Sequence, residues 1–155
     1  MTATAEPTTG TELKDGRVVA IAGPVVDVEF PPDALPEINF AVEMDAELEG
    51  ETITITAEIA QQIGDSRVRA ICLKPTDGLQ RGTLVRNLGH GITMPVGEAI
   101  KGRLFNVTGD PIDGLPAIPK TGGRPIHAKP PAFEHLSTST EILFTGIEPE
   151  RIEFV

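Results

Sequence analysis

Short runs of alternating hydrophobic and polar residues occupy most of the first hundred positions. The sharpest is Glu51-Thr-Ile-Thr-Ile-Thr-Ala-Glu-Ile59, which sets Ile53, Ile55, Ala57 and Ile59 on one side and Thr52, Thr54, Thr56 and Glu58 on the other. A period of two predicts a half-buried strand. In Val25-Val-Asp-Val-Glu-Phe30, Val26, Val28 and Phe30 likewise alternate with Val25, Asp27 and Glu29, and Pro31-Pro32 ends the run. The β-branched stretch Arg17-Val-Val-Ala-Ile-Ala22 precedes it and stops at Gly23-Pro24, a turn that proline cannot continue as a paired central strand. Gly64-Asp65-Ser66 supplies turn chemistry, so Arg67-Val-Arg-Ala-Ile-Cys-Leu73 is expected as the hairpin partner of the strand before it. Shorter strands are expected at Thr83-Leu-Val-Arg-Asn87 and Ile92-Thr-Met94. The spacing in Ala57-Glu-Ile-Ala-Gln-Gln-Ile63 also fits a helix, but no cap separates it from the strand that flows into it, and strand is the reading kept. Six or seven short strands with regular punctuation predict an all-β fold, a small closed barrel or a sandwich, because closure removes exposed edges.

Beyond Gly97 the period changes. Ile100, Leu104 and Val107 fall at i, i+4 and i+7, which predicts a short helix within residues 98–110, stopped by Gly109 and Pro111. Pro111, Pro116, Pro119, Pro125, Pro130 and Pro131 then rule out steady pairing in a central sheet, so this stretch reads as an extended arm. Residues 1–14 show no apolar period and read as a loose tail. The last apolar residues, Ile142, Leu143, Phe144, Ile147, Ile152, Phe154 and Val155, are too few for a second core and call for cover from elsewhere.

Composition agrees with a turn-rich globular chain. Of 155 residues, 16 are Gly and 14 Pro, with no Trp or Tyr; that Gly and Pro share is about a fifth, against roughly 12% in average usage. The length suits one domain plus an extension and is too short for a (β/α)₈ enzyme. A net charge of −10 argues against direct binding to nucleic acid or an anionic membrane. Charge is segregated: residues 18–66 contain eleven acidic and no basic residues, whereas residues 67–105 contain seven basic residues and only Asp77 and Glu98 acidic. The expected outcome is compensation inside the domain by hairpin pairing of the two halves. The sharper alternative is oppositely charged flanks suited to head-to-tail packing in a ring. Cys72 is the single cysteine and lies in an apolar run, which fits an inert core thiol in a reducing compartment. No stretch approaches the ~20 apolar residues of a membrane span, and Met1-Thr-Ala-Thr-Ala-Glu-Pro7 lacks the order of a secretion signal. A soluble, intracellular protein is expected.

Candidate chemistry is sparse. No Gly-Lys dipeptide occurs, so there is no G-x-x-x-x-G-K-[ST] phosphate loop. Gly89-His90-Gly91 and Gly122-Gly123 read as turns. His90, His127 and His135 are spread over loops without the spacing of a zinc site. Glu134-His135 could form a proton-transfer pair, but adjacent side chains seldom face one pocket. Ser137-Thr-Ser-Thr140 before Glu141 looks like a helix start. Asn106-Val-Thr108 matches a glycosylation acceptor without meaning for a cytosolic chain. The carboxylates between residues 27 and 58 fall mostly on outward positions beside Thr, as in a solvated face. The residues alone describe an interaction module with no catalytic, nucleotide-binding or metal site. A free-standing small barrel that binds protein or RNA is the alternative, weakened for RNA by six Phe and the negative charge.

Several blocks in order carry a resemblance: Gly16-Arg-Val-Val-Ala-Ile-Ala-Gly-Pro-Val-Val-Asp-Val-Glu-Phe30, Glu58-Ile-Ala-Gln-Gln-Ile-Gly-Asp65, Val68-Arg-Ala-Ile71, Thr76-Asp-Gly-Leu-Gln-Arg-Gly82, Met94-Pro-Val-Gly97, Gly102-Arg-Leu-Phe-Asn-Val-Thr-Gly109 and Pro111-Ile-Asp113. Together with Pro125-Ile-His127, Phe133 and Ser137-Thr-Ser-Thr-Glu-Ile-Leu-Phe-Thr-Gly-Ile147, they resemble the start of the catalytic β subunit of F-type ATP synthase over residues 15–147. Gly23-Pro-Val-Val-Asp-Val28 and Asn106-Val107 look more like β than the related α subunit. The resemblance implies a six-stranded barrel over residues 15–97, the short helix at 98–110, and at 111–155 a Pro-rich linker with the start of a nucleotide-binding domain. It implies α subunits in an alternating ring as partners, the rest of the F1 complex around them, and the cytoplasmic face of the plasma membrane if the source is bacterial. For the intact subunit it implies Mg-ATP and ADP as ligands and ATP synthesis coupled to proton transport. No catalytic, nucleotide or metal residue of the family falls on a position of this chain. Glu148-Pro-Glu-Arg-Ile-Glu-Phe-Val155 departs from the family pattern, and the expectation is a truncated, excised or redesigned chain that is inactive alone.

Overall fold

Six strands close on themselves. They are β1 (Gly16–Ala22), β2 (Val25–Glu29), β3 (Phe40–Leu48), β4 (Glu51–Gly64), β5 (Arg67–Cys72) and β6 (Leu84–Gly91), joined antiparallel in the order β1-β2-β5-β4-β3-β6. The structure is a computed structural model that describes residues 13–118, 123–136 and 139. The alternation read from the sequence decides what points inward: Val26, Val28, Ile55, Ala57, Ile59, Val68 and Ala70 are fully buried. Val18, Phe30, Val42, Met44, Ala46, Cys72 and Val85 join them in one cluster, to which Leu79 adds from the loop before β6. At roughly 1.5–3 kcal/mol for each fully buried aliphatic side chain, this cluster is the main stabilising element of the domain.

The hairpin of β4 and β5 forms around Asp65 and Ser66 as expected, with Gly64 facing Arg67. The competing helical spacing near Ile63 has a physical origin. The β4–β5 register slips between Ile59 and Gln61 and again between Gln62 and Gly64. Each bulge adds a residue and moves the alternation out of phase. β3 was not foreseen. Its inward set, Ala41, Val42, Met44 and Ala46, contains one β-branched residue and alternates in part with Glu43, Asp45 and Glu47, so composition hid the strand.

The helix expected within 98–110 is not formed. A single 3₁₀ turn, Glu98–Ile100, stands there, and Leu104 and Val107 are more than half exposed. The chain instead folds back in a loop hairpin in which Phe105 bridges Pro111 and the Ile112 N–H donates to the Leu104 carbonyl at 2.9 Å. Gly102 and Gly109 sit at positive φ, 69° and 76°, and interrupt helical geometry at both ends of the loop.

Just past the barrel, β7 (Thr93–Met94) pairs with β8 (Arg124–Pro125) of the arm in a two-stranded ribbon. The Ile126 N–H also donates to the Ile92 carbonyl at 3.0 Å. The remainder of the described arm is irregular apart from a 3₁₀ turn at Phe133–His135. Among the described residues no helix is long and apolar enough to cross a membrane.

Candidate interaction surface

The strand order interleaves the charges that the sequence keeps apart. β5 lies beside β2, and β6 beside β3, so each basic strand of the second half lies against an acidic one. Arg69 meets Asp27 as a fork, Nε donating to Oδ1 at 2.8 Å and Nη2 to Oδ2 at 3.0 Å. Arg86 meets Asp45 in the same way at 2.6 and 3.0 Å, and Thr54 Oγ1 donates to Asp45 Oδ1 at 2.9 Å. Arg67 lies 3.7 Å from Glu29, and Arg86 3.7 Å from Glu43. The hydrogen-bonded guanidinium of Arg69 lowers the pKa of Asp27. Arg86, with Thr54, brings Asp45 down to about 2. Compensation inside the domain is therefore what the structure has. The pairs come from barrel neighbours some forty residues apart in sequence, rather than from hairpin partners. The outward alternation of Asp27 and Glu29 against Arg67 and Arg69 was a readable signal for that pairing, and it was missed.

Acidic charge remains at the tip of the β3–β4 hairpin. Glu47, Glu49 and Glu51 have no ion pair among the described residues, and they flank Leu48, which is exposed.

The loop at 101–116 is tied from within. Arg103 Nε donates to Asp113 Oδ2 at 2.5 Å and Nη2 to the Pro116 carbonyl at 2.9 Å. Asp113 also accepts the Leu104 and Leu115 N–H groups, and these bonds, led by Arg103, hold its carboxyl far below the ordinary range. Asn106 Oδ1 accepts the N–H groups of Thr108 and Asp110 at 3.0 and 2.8 Å, an Asx turn. The sequon residues Asn106 and Thr108 thus serve the turn. Around this frame Leu104, Val107, Ile112 and Leu115 are each more than half exposed, an apolar display held by polar bonds.

A groove of about 460 Å³ lies across β3 and β6, with Thr56 of β4 at one side and Ile92, Thr93 and Thr108 completing its lining. Ala41, Leu88 and Ile92 supply its apolar lining, and Glu43 and the hydroxyl residues Thr56, Thr93 and Thr108 its polar one. His90 also lines it, with Nδ1 2.7 Å from the Gly91 carbonyl oxygen. Nearby on β4, Glu58 Oε2 meets His127 Nε2 of the arm at 3.0 Å.

The other sequence candidates stay apart. His90, His127 and His135 occupy the groove, the arm and a 3₁₀ turn respectively. No three His, Cys, Asp or Glu side chains converge as metal ligands among the described residues. Glu134 and His135 share an exposed turn without a hydrogen bond to each other among the described residues. Gly89, His90 and Gly91 are the last residues of strand β6 and not the turn expected of them. Gly122, Ser137, Thr138 and Thr140 lie outside the described residues. Cys72 is buried, which raises its thiol pKa to about 11.

Residues 18–89 match the family model for the ATP synthase alpha/beta family, beta-barrel domain. The matched stretch begins in β1 and ends in β6, so it takes in all six strands of the closed barrel.

Proposed function

We propose that this chain, whose residues 18–89 match the family model for the ATP synthase alpha/beta family, beta-barrel domain, is the N-terminal part of the β subunit and acts in assembly. The barrel sets itself beside barrels of α subunits in an alternating ring of the F1 complex, and the tied loop and arm lead toward the next domain. One observation carries the assembly reading. A closed barrel whose facing charges pair across its strand seams still presents an acidic hairpin tip, and the loop that follows it an apolar display at Leu104, Val107, Ile112 and Leu115, which are features of contact rather than of chemistry.

ATP synthesis from ADP and phosphate, coupled to proton transport at the cytoplasmic face of a membrane, is on this reading the work of the whole complex. The described residues do not fit Mg-ATP. A phosphate site draws on a helix N-terminus or a glycine-rich cradle with a lysine, and the helices described here are two three-residue 3₁₀ turns.

Sedimentation of the purified chain with α subunits tests the reading. A heavier mixed species is expected, and independent sedimentation at all ratios overturns it. Calorimetry with Mg-ATP should give no binding heat; submicromolar affinity or turnover contradicts the assignment of this segment to assembly.

A further inference from the structure

We infer that the arm is fastened to the barrel wall by a proton-sensitive clasp, His127 on Glu58, which holds more tightly when the imidazole is charged.

Three observations carry the inference. The first is reach. Among the described residues, the arm beyond residue 123 is hydrogen-bonded to the rest of the chain through the β7–β8 ribbon, through the Ile126 N–H to the Ile92 carbonyl, and through His127 Nε2 to Glu58 Oε2 at 3.0 Å. Ile92 and β7 lie past the end of β6, so within that set the imidazole contact alone grips a strand of the closed barrel. The second is the slightness of the other ties. Arg124, Pro125 and Ile126 are exposed, and little apolar burial holds the ribbon in place. The third is the setting of the carboxylate. The Glu58 side chain is only 23% exposed, and across the two seams of β4 it faces Ala41 and Ile71, neither of which neutralises it. A covered carboxylate with apolar neighbours on both sides favours a cation brought from elsewhere in the chain.

The surrounding charges are committed or constant. Glu43 and Arg69, which flank Ala41 and Ile71 along β3 and β5, pair with Arg86 and Asp27. Lys74 donates to the Thr54 carbonyl, and Arg124 and Lys129 of the arm have no ion pair among the described residues. These cations keep their charge between pH 5 and 8, so they do not impose a pH dependence there. His90 is the other imidazole near this wall, and its Nδ1 lies 2.7 Å from the Gly91 carbonyl oxygen.

The sign follows from the two titrating groups. A carboxylate is ionised above about pH 4.3 and an imidazole is charged below about pH 6.5, so the full ion pair exists between those values. Once the proton has left, Nε2 either donates a neutral hydrogen bond or turns a lone pair toward the carboxylate, and the charge assistance is lost. The clasp is strongest near pH 5.5 and loosens as pH rises through 7 to 8. Because His127 is half exposed, the coupling has the size of a surface pair, about two- to five-fold in the clasped population.

The test follows amide exchange of Ile126 by NMR in the full chain, expressed as protection relative to an unstructured peptide so that the chemistry of exchange cancels. Protection should be about two- to five-fold greater at pH 5.5 than at pH 8, and that ratio should shrink at high salt. The ratio should fall to one in Glu58→Gln and in His127→Gln, and persist in His90→Gln; slow exchange at Val28 and Ile59 shows that each variant is folded. Equal protection of Ile126 at the two pH values in the unaltered chain overturns the inference, as does a ratio that survives in Glu58→Gln. Loss of the ratio in His90→Gln with retention in His127→Gln assigns the effect to the other imidazole and overturns it too. The clasp lies within one chain, so this outcome is independent of sedimentation with α subunits.

Discussion

Arg86 and Asp45 face each other across the seam between β6 and β3, Nη1 2.6 Å from Oδ2 and Nη2 3.0 Å from Oδ1. The pair does more than neutralise two charges. Asp45 sits opposite Thr54 on β4 and accepts its hydroxyl, so one carboxylate links three adjacent strands. Because Arg86 depresses the Asp45 pKa to about 2 from an ordinary 3.8, its contribution is present above pH 4 and is lost as pH falls toward 2. Both side chains are more than a third exposed, so screening limits the effect to about 0.5–1 kcal/mol. Urea unfolding of Asp45→Asn should show that deficit at pH 7, and the deficit should vanish near pH 2; an equal deficit at both values would sink the ion-pair account.

Gly78 binds the loop before β6 to the end of β3. It holds φ +79°, and a Cβ there would lie 2.1 Å from the Glu47 carbonyl oxygen. Gly82 has a similar φ of +87° with nothing within 4 Å. Gly82→Ala should therefore cost only the backbone strain, about 1 kcal/mol. Gly78→Ala adds a collision with main chain and should cost clearly more, with Leu79 displaced from the core cluster. Thermal unfolding of the two variants side by side makes the comparison.

What the sequence revealed follows from how locally each feature is encoded. β2 and β4 were legible because Val26, Val28, Ile55 and Ile59 announce a period of two within a few residues. β3 escaped because Met44, two alanines and a single β-branched residue, Val42, do its inward packing while acids occupy outward positions, a composition that propensity marks only weakly as strand. The expected helix failed for a related reason. Ile100, Leu104 and Val107 have helical spacing, but Gly102 and Gly109 take left-handed φ and Arg103 prefers Asp113 ten residues on. Ion pairs joining β2 to β5 and β3 to β6 depend on strand order, which no local window contains. The groove was invisible for the same reason, since Ala41, Thr56, Ile92 and Thr108 meet only through topology.

The tie between Arg103 and Asp113 is local to its loop. Both side chains are largely covered, and together they organise the Leu104, Leu115 and Pro116 backbone. Arg103→Lys keeps the charge but loses the fork. Hydrogen exchange of Asn106 and Ile112 should accelerate several-fold in that variant, whereas exchange of Val28 and Ile59 in the barrel should stay unchanged. Loss of protection in the barrel would mean that the loop is part of the cooperative core.

Ile59 is fully buried among the β4 residues that face the core. Truncation to alanine removes packed methylenes and leaves a cavity that a closed barrel cannot easily collapse, at a cost of about 2–4 kcal/mol. Against a total stability of about 5–15 kcal/mol for a domain, that change should lower the urea midpoint markedly while the slope of the transition stays the same. Thr52, at the exposed start of the same strand, provides the contrast: Thr52→Ala should move the midpoint little.

Cys72 reports on the core from the opposite side of the titration scale. Burial raises its pKa from 9.0 to about 11, so the folded protein holds the thiol protonated where the unfolded chain has begun to lose its proton. The stabilising effect of that burial is complete below pH 9 and declines as pH rises from 9 toward 11. The thiolate is also the reactive form, so a disulfide reagent at pH 8 should modify native protein only as fast as the barrel opens. In urea above the unfolding midpoint, modification should reach the rate of a model thiol. A native rate close to the unfolded one would place Cys72 outside the sealed core. A Cys72→Ser variant, which buries a hydroxyl where the thiol packed, should unfold at lower urea and lose the alkaline decline between pH 9 and 11.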